Sequence, residues 1–411
     1  MPRGHDIPGF IKNIQRGDEA AAATVLRATS ALPAVCGRVC PQEKQCESRC
    51  IYNKMKKQPV AIGYLERYAA DAAATMAATP ATRPAADATK IAVVGSGPAG
   101  LSFAGEMTRL GYAVTVFEAL HEIGGVLKYG IPEFRLPNSI VERELDGLRA
   151  AGVTFCKDTV IGKTLSYDDL IAAGFKGVFV ASGAGLPRFM GIPGENLIGV
   201  MSSNEYLTRV NLMGAARGGK TPVAVGKRVA VVGGGNTAMD SVRTARRLGA
   251  DEAMIVYRRS EAEMPARREE VLHAKEEGVT FMTLANPVEY LADDKGHVRA
   301  MRVQRMELGE PDAGGRRRPI AIDGAIDEIA VDEVIVSVGV SPNPLIPNSI
   351  SGLEITERGT IAVGDNLQSS LPLIFAGGDI VRGGATVILA MGDGRRAATE
   401  MHKYLSERGN N

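Results

Sequence analysis

Two stretches of this sequence are built on one plan. Residues 90–118, KIAVVGSGPAGLSFAGEMTRLGYAVTVFE, pass from an apolar run through a cluster of glycines into an amphipathic helical pattern and a second apolar run. Residues 228–257, RVAVVGGGNTAMDSVRTARRLGADEAMIVY, repeat the plan. Each reads as strand, tight turn, helix and parallel strand, and such near-continuous apolar strands belong to a parallel sheet buried on both faces. A chain with two of these units is committed to an α/β fold with two Rossmann-like dinucleotide-binding domains. At 411 residues it is also too long for one ordinary core.

The turns carry chemistry as well as shape. In the first, Gly95, Gly97 and Gly100 enclose Pro98 and Ala99, and backbone N–H groups at a helix start can approach a pyrophosphate there. Glu118 ends the next strand 23 residues after Gly95, where a carboxylate can bond ribose hydroxyls. The second turn places Gly233, Gly235 and Ala238 around Asn236 and Thr237, in the GxGxxA variant. Its second strand is followed by Arg258 and Arg259, with no acid at that spot. A carboxylate would repel a 2′-phosphate and guanidinium groups would hold one, so this position selects NADP(H) over NAD(H), as against two arginines on a solvated turn.

With NADPH at the second unit, FAD is expected at the first. The tail agrees. IFAGGDI (374–380) ends an apolar strand in Gly378 and Asp379, where Asp379 can accept a bond from a ribityl chain. Ala385, Thr386 and Val387 then lead a glycine turn into a helix whose N-terminus can face the flavin carbonyl and stabilise the anionic reduced ring.

The rest of the chain organises around these units. Residues 8–75 read as helical, from DEAAAATVLRAT and PVAIGYLERYAADAAATM, and 77–90 reads as a small, Pro-containing linker. VTFMTL and HVRAMRVQRMEL continue the second unit as strands, and EVIVSVGVSPNPLI onward reads as a return to the first sheet plus a closing helix. The expected division is therefore 1–88, helical and Cys-rich; 89–215, first part of the FAD domain; 216–330, an inserted NADP(H) domain; and 331–411, second part of the FAD domain.

Four of the five cysteines fall in AVCGRVCPQEKQCESRC (34–50), as Cys36, Cys40, Cys46 and Cys50, spaced x3, x5 and x3. Either an iron–sulfur cluster or zinc is compatible with that spacing, though tetrahedral zinc sites more often use tighter pairs. No apolar stretch is long enough to span a bilayer and MPRGHDIPGF has no signal-peptide core, so a cytoplasmic protein is expected. In that reducing compartment a tight cysteine group binds metal more readily than it forms disulfides, and the lone Cys156 is expected to be buried and structural. A net charge of +1 gives no electrostatic reason to expect nucleic acid or a membrane as partner. The five histidines are scattered, without an acid–base pair.

CGRVCPQEKQCE, PVAIGYLER, GGVLKYGIPEFRLP, GIPGENLIGVMSSNEYLTRVN and FAGGDIVRGGATVILAMGDGRRAA together resemble the small subunit of NADPH-dependent glutamate synthase, over nearly the whole chain from HDIPGFI onward. Relatives include the NADPH-binding subunit of ferredoxin:NADP oxidoreductase and a subunit of archaeal sulfide dehydrogenase. The resemblance implies an electron conduit from NADPH through FAD to 4Fe–4S clusters in the helical module, and on to a large glutamate synthase subunit or another electron-accepting protein. A homo-oligomer is compatible with it too. It also implies that Gly124 and Gly125 lie along the flavin, and that the flavin chemistry needs no side-chain nucleophile. The Cys-x-x-Cys that thioredoxin reductases carry beside the flavin is absent from this sequence.

By the same likeness, Cys40 and Cys46 with Glu66 serve one cluster, Cys50 contributes to a second, and Cys36 need not be a ligand. The relatives carry four more cysteines upstream, ending in Cys-Pro where this chain has Met1-Pro2. Three readings follow: a longer protein with two normal clusters; one cluster or a zinc ion on the four cysteines, with or without Glu66; or a cluster-less flavin diaphorase. In a different class stands a non-catalytic nucleotide-binding scaffold subunit, against which two complete nucleotide sites speak.

Overall fold

The computed structural model describes residues 4, 6–74, 83–215, 221–223, 226–311 and 315–409. Met1-Pro2 and positions 77–82 of the expected linker lie outside these described residues. The chain divides into two compact units: Met1–Lys128, Glu133–Gly185 and Ser341–Asn411 form one, and Tyr129–Pro132 with Leu186–Val340 form the other. An insertion therefore interrupts the first unit.

The first unit opens with the expected helices. Ile7–Gln15 and Glu19–Arg27 each start behind an aspartate, Asp6 accepting from Gly9 N and Asp18 from Ala21 N, both at 2.9 Å. Each cap satisfies a first-turn N–H that has no partner within the helix. Helices Pro33–Val39 and Ile62–Ala73 approach so closely that a Cβ on Gly37 would lie 2.6 Å from Arg67 N. The glycine inside CGRVC is thus required by packing. Arg38 ties the same two helices together, its Nη2 donating to both carboxylate oxygens of Asp71 at 2.8 Å. Phe10, Ala22, Leu26, Cys46, Ile62 and Ala69 form the core of this small module.

Five parallel strands follow in the order Ile374–Ala376, Gly177–Val180, Lys90–Val94, Ala113–Phe117 and Thr154–Cys156. Helix Pro98–Arg109 covers them, with Phe103 stacked on Phe179 at 4.2 Å. Helix Val387–Gly409 lies against Pro98–Arg109, and a Cβ on Gly394 would sit 2.2 Å from Ala99 O. Cys156, expected to be buried, is half-buried at its strand end and packs on the edge of this core.

The second unit has its own five-stranded parallel sheet, Val200–Ser202, Glu333–Val336, Arg228–Val232, Glu252–Tyr257 and Thr280–Thr283. Beside it stands an antiparallel sheet of Ala285–Ala292, Val298–Pro311 and Arg317–Ala330. This differs from the expected allocation in two strands. Glu333–Val336 was expected to return to the first sheet, yet it pairs with Arg228–Val232; Val200–Ser202, from the stretch expected in the FAD domain, pairs with Glu333–Val336. Short apolar runs are interchangeable by composition, and only their pairing partners assign them to a sheet. The return to the first sheet comes after Ser341. Among the described residues no helix is long and apolar enough to cross a membrane.

Candidate functional site

The first glycine turn is shaped by contacts that exclude side chains. Gly95 has φ +101°, and a Cβ there would lie 2.5 Å from Ala181 O. On Gly100 a Cβ would meet Gly95 O at 2.0 Å. Around Gly97, by contrast, nothing stands within 4 Å of an added Cβ. Two glycines therefore fold the turn and the third leaves open space before the helix that Pro98 and Ala99 begin. That helix has no side-chain cap at Gly97, so its N-terminal donors face the opening.

Glu118 is buried at the end of its strand. One carboxylate oxygen accepts Ser96 N (2.9 Å) and Ser96 Oγ, and the other accepts Leu120 N (2.9 Å). Two oxygens offer about four acceptor positions, so one remains on the Leu120 side for a ribose hydroxyl. The same Ser96 hydroxyl accepts Gly124 N at 2.9 Å, and a Cβ on Gly125 would come within 2.9 Å of Gly97 Cα. The GGVLKYG segment thus lies on the turn.

The tail segment expected at this site closes it, through a contact with Asp393 that the sequence did not announce. Gly378, at φ +77°, would place a Cβ 2.9 Å from the Ala99 Cβ. Its N–H is held by Asp393 (3.1 Å), a buried carboxylate that also takes Arg382 Nε and Nη2, both at 2.6 Å. Asp379 accepts Ala385 N at 3.2 Å; burial, with the negative Asp393 nearby, pushes its carboxyl up to about 6, against the opposing Ala385 bond. Thr386 O accepts Leu389 N and Ala390 N, and Val387 is the first residue of the long helix. The three tail residues expected near a flavin therefore form one turn and helix start. Nothing local marks Asp393 for its part: it is one acid in a long amphipathic helix.

In the second unit, Gly233 has φ +143° and a Cβ there would lie 2.3 Å from Ser337 O, while Gly235 faces open space. Helix Asn236–Arg247 follows, with Thr237 exposed in its first turn and Ala238 buried beneath it. Asn236 turns its Oδ1 to Arg267 N (2.8 Å), and Ala266 N bonds Gly234 O (3.1 Å). The MPARRE stretch thus lies against this turn, a neighbour that sequence reasoning missed. The two selecting arginines part company: Arg258 is exposed at the strand end, whereas Arg259 is buried and gives its Nε to Arg317 O at 2.8 Å. Only Arg258 presents its side chain to solvent.

The cysteines divide likewise. Cys36, Cys40 and Cys46 are buried, and Cys50 is half-buried, its sulfur accepting Val60 N at 3.5 Å. The Cys40 thiol is held well above its usual range by its hydrogen bond with Cys36, then by burial, and by the negative charge of Glu66. Burial pushes Cys46 up to about 12, with Glu66 and Glu47 adding to it. Cys40 therefore has Cys36, Cys46 and the buried Glu66 as neighbours. Cys36 Sγ reaches Met391 Sδ at 3.5 Å, and Gln45 Nε2 reaches Thr386 Oγ1 at 3.2 Å, so the loop touches the long helix next to its start.

Among the described residues no three His, Cys, Asp or Glu side chains converge to hold a single metal ion. A tetrahedral zinc with bonds of about 2.3 Å needs its sulfurs within roughly 4 Å of one another. An iron–sulfur cluster spaces its ligands more widely, one on each iron, and thiols beside a carboxylate are donors that release protons to such a group. The donor set fits a cluster better than zinc.

Residues 76–394 match the family model for pyridine nucleotide-disulphide oxidoreductases, and residues 1–78 match one for dihydropyrimidine dehydrogenase domain II, 4Fe–4S cluster. The glutamate synthase [NADPH] small chain of Halomonas elongata is 38% identical over 97% of this chain and 85% of its own length. The NADP(+)-dependent formate dehydrogenase subunit beta of Moorella thermoacetica is 38% identical over 99% of this chain, which spans 59% of that longer protein. Among solved structures, FprA of Mycobacterium tuberculosis in complex with NADPH is similar in fold, with a TM-score of 0.68 and 21% identity over 80% of this chain and 86% of that one.

Proposed function

Because the chain belongs to the pyridine nucleotide-disulphide oxidoreductase family, and within it to the glutamate synthase small chains, we propose that it is an NADPH-dependent flavoprotein that moves electrons from NADPH to a partner subunit. The observation that carries this reading is the seam inside the first unit. The cysteine loop and the helix that starts beside the first glycine turn touch through Gln45 and Thr386, and through Cys36 and Met391. FAD, when bound, accepts a hydride from NADPH and releases electrons singly, and an iron–sulfur cluster carries single electrons.

Each residue then has a defined task. Gly97 leaves room for a pyrophosphate and the bare N-terminus of Pro98–Arg109 binds it; Glu118 takes a ribose hydroxyl; Gly378 and Asp379 line the tail side. Gly235 and the N-terminus of Asn236–Arg247 do for NADPH what Gly97 and its helix start do for FAD, with the exposed Thr237 in that first turn and Arg258 on the 2′-phosphate. Cys40, Cys46 and Glu66 would hold one 4Fe–4S cluster in the 1–88 module, and Cys50 would serve a second. The partner that fits best is a large glutamate synthase subunit in the cytoplasm, since nothing in this chain looks able to hydrolyse glutamine or to reduce 2-oxoglutarate.

Anaerobically purified protein should contain FAD and iron, with a broad absorbance beside the flavin bands that bleaches on reduction. NADPH should reduce menadione through it, and NADH much less well. Iron-free protein that still reduces menadione would establish the cluster-less diaphorase, and protein with FAD and NADPH bound but no turnover would establish the scaffold subunit. Cys40→Ser should lose iron while Cys36→Ser keeps it.

A further inference from the structure

The surface around Cys50 combines exposed apolar side chains with a run of basic ones. Residues 51–58 are all exposed, beginning with the single helical turn Ile51–Lys54 that Cys50 caps. At its centre are apolar side chains open to solvent, Ile51 at 67%, Tyr52 at 42% and Met55 at 53% exposure. Around them stand Arg49, Lys54, Lys56 and Lys57, and no described carboxylate pairs with any of the four. The one acid in this stretch, Glu47, is engaged by Gly63 N at 3.1 Å.

This is not the general character of the protein, whose net charge is only +1. The turn is also well defined: Met55 N and Lys57 N bond Tyr52 O, Lys56 N bonds Asn53 O, and Asn53 Nδ2 bonds Glu47 O at 2.7 Å. Lys56 sits at φ +54°, where a glycine or asparagine is the usual occupant.

We propose that the Arg49–Lys57 face is the docking surface for an acidic electron-carrier protein. This inference rests on the electron-transfer reading above and departs from it in the acceptor, here a soluble carrier that docks and leaves in place of a stably bound large subunit. An apolar centre rimmed by unpaired charge is the anatomy of a protein interface. Small, charge-steered interfaces suit transient electron exchange, because complementary potential raises the encounter rate while leaving dissociation fast. Cys50, the one cysteine of the four that is not buried, lies within the face, so a cluster held through Cys50 would lie beneath the docked partner. An anionic membrane is a poorer fit, since one helical turn offers too little apolar area to lie in a bilayer interface.

The test is binding of the full chain to an acidic plant-type 2Fe–2S ferredoxin, measured by calorimetry at low and at physiological salt. Wild-type protein should bind, more weakly as salt rises. Lys54→Glu/Lys56→Glu/Lys57→Glu should weaken binding at least tenfold, and the milder Lys54→Gln/Lys57→Gln about threefold, with NADPH-dependent menadione reduction unchanged in both. Failure of the wild type to bind, equal binding by the charge-reversed protein, or preference for phosphatidylglycerol vesicles over ferredoxin would each overturn the proposal. Ferredoxin binding with no menadione reduction by the wild type would instead refute the electron-transfer reading and leave the acidic-partner face standing.

Discussion

Asp393→Asn isolates the tertiary contact that closes the first nucleotide site. The carboxylate serves three donors: Gly378 N and Arg382 Nε share one oxygen, and Arg382 Nη2 uses the other. Asparagine keeps the shape but offers a single acceptor oxygen, so one donor must face its NH2 group. With the amide oxygen turned to Gly378 N, the Arg382 Nη2 bond is lost and the remaining Arg382 bond keeps only one charged partner. Such bonds contribute about 1.5–3 kcal/mol each when buried. Arg382 is 41% exposed and can turn to water, so the lower end applies, about 1.5 kcal/mol. In a unit of this size that corresponds to a melting shift of about 3–6 °C.

The shift should be seen by following flavin fluorescence on heating the holoprotein, because Gly378 abuts Ala99 at the helix start where FAD is proposed to bind. Purified Asp393→Asn protein should also carry less FAD than wild type. Asp393→Ala leaves the Gly378 N–H without its partner and opens a cavity, so its loss should be larger, about 3 kcal/mol. An Asp393→Asn protein that melts within a degree of wild type and keeps its full flavin content would refute this account of the closing element.

Gly100→Ala should fail to fold a competent turn, since its Cβ meets backbone Gly95 O, whereas Gly97→Ala should fold with unchanged apoprotein melting and fail to retain FAD; calorimetry and flavin content separate them. Arg258→Ala should lower kcat/KM for NADPH by about tenfold or more and leave NADH unaffected. Arg259→Ala, whose side chain is buried on Arg317 O, should lower the melting temperature without changing the NADPH-to-NADH ratio. Burial raises Glu333 to about 7 from an ordinary value of 4.5, with the Gly226 N–H opposing. The folded chain therefore keeps a proton that the unfolded chain releases, and stability falls as pH rises between those values and is level above them. Glu333→Gln should remove that slope and be more stable than wild type at pH 8 by about 3 kcal/mol, the two converging near pH 4.5 in a melting series.

Much of this protein was legible before any fold was known. The strand–glycine–helix repeats are local: glycine spacing, a flanking apolar strand and a helix start are decided within some thirty residues by backbone torsions and short-range sterics. Gly95 and Gly233 take the positive φ that those turns require, and Glu118 lies on the loop that it was expected to serve. The cysteine spacing likewise marked out a local group, in which Cys40 lies beside Cys36, Cys46 and Glu66.

What the sequence could not decide is which distant segments meet. EVIV and VMS are short apolar runs that would suit either sheet, and pairing alone sends both to the second. Adjacent arginines look equivalent in the chain, yet strand geometry turns Arg259 inward and leaves Arg258 in solvent. Asp393 reaches Gly378, and Cys36 reaches Met391 across 355 positions, without any periodicity to announce it. Sequence alone therefore determined the kinds of site this protein has, because those are set by local backbone chemistry. The tertiary structure decided which side chains complete them and which cysteine faces outward, because close packing brings together residues whose separation along the chain carries no signal.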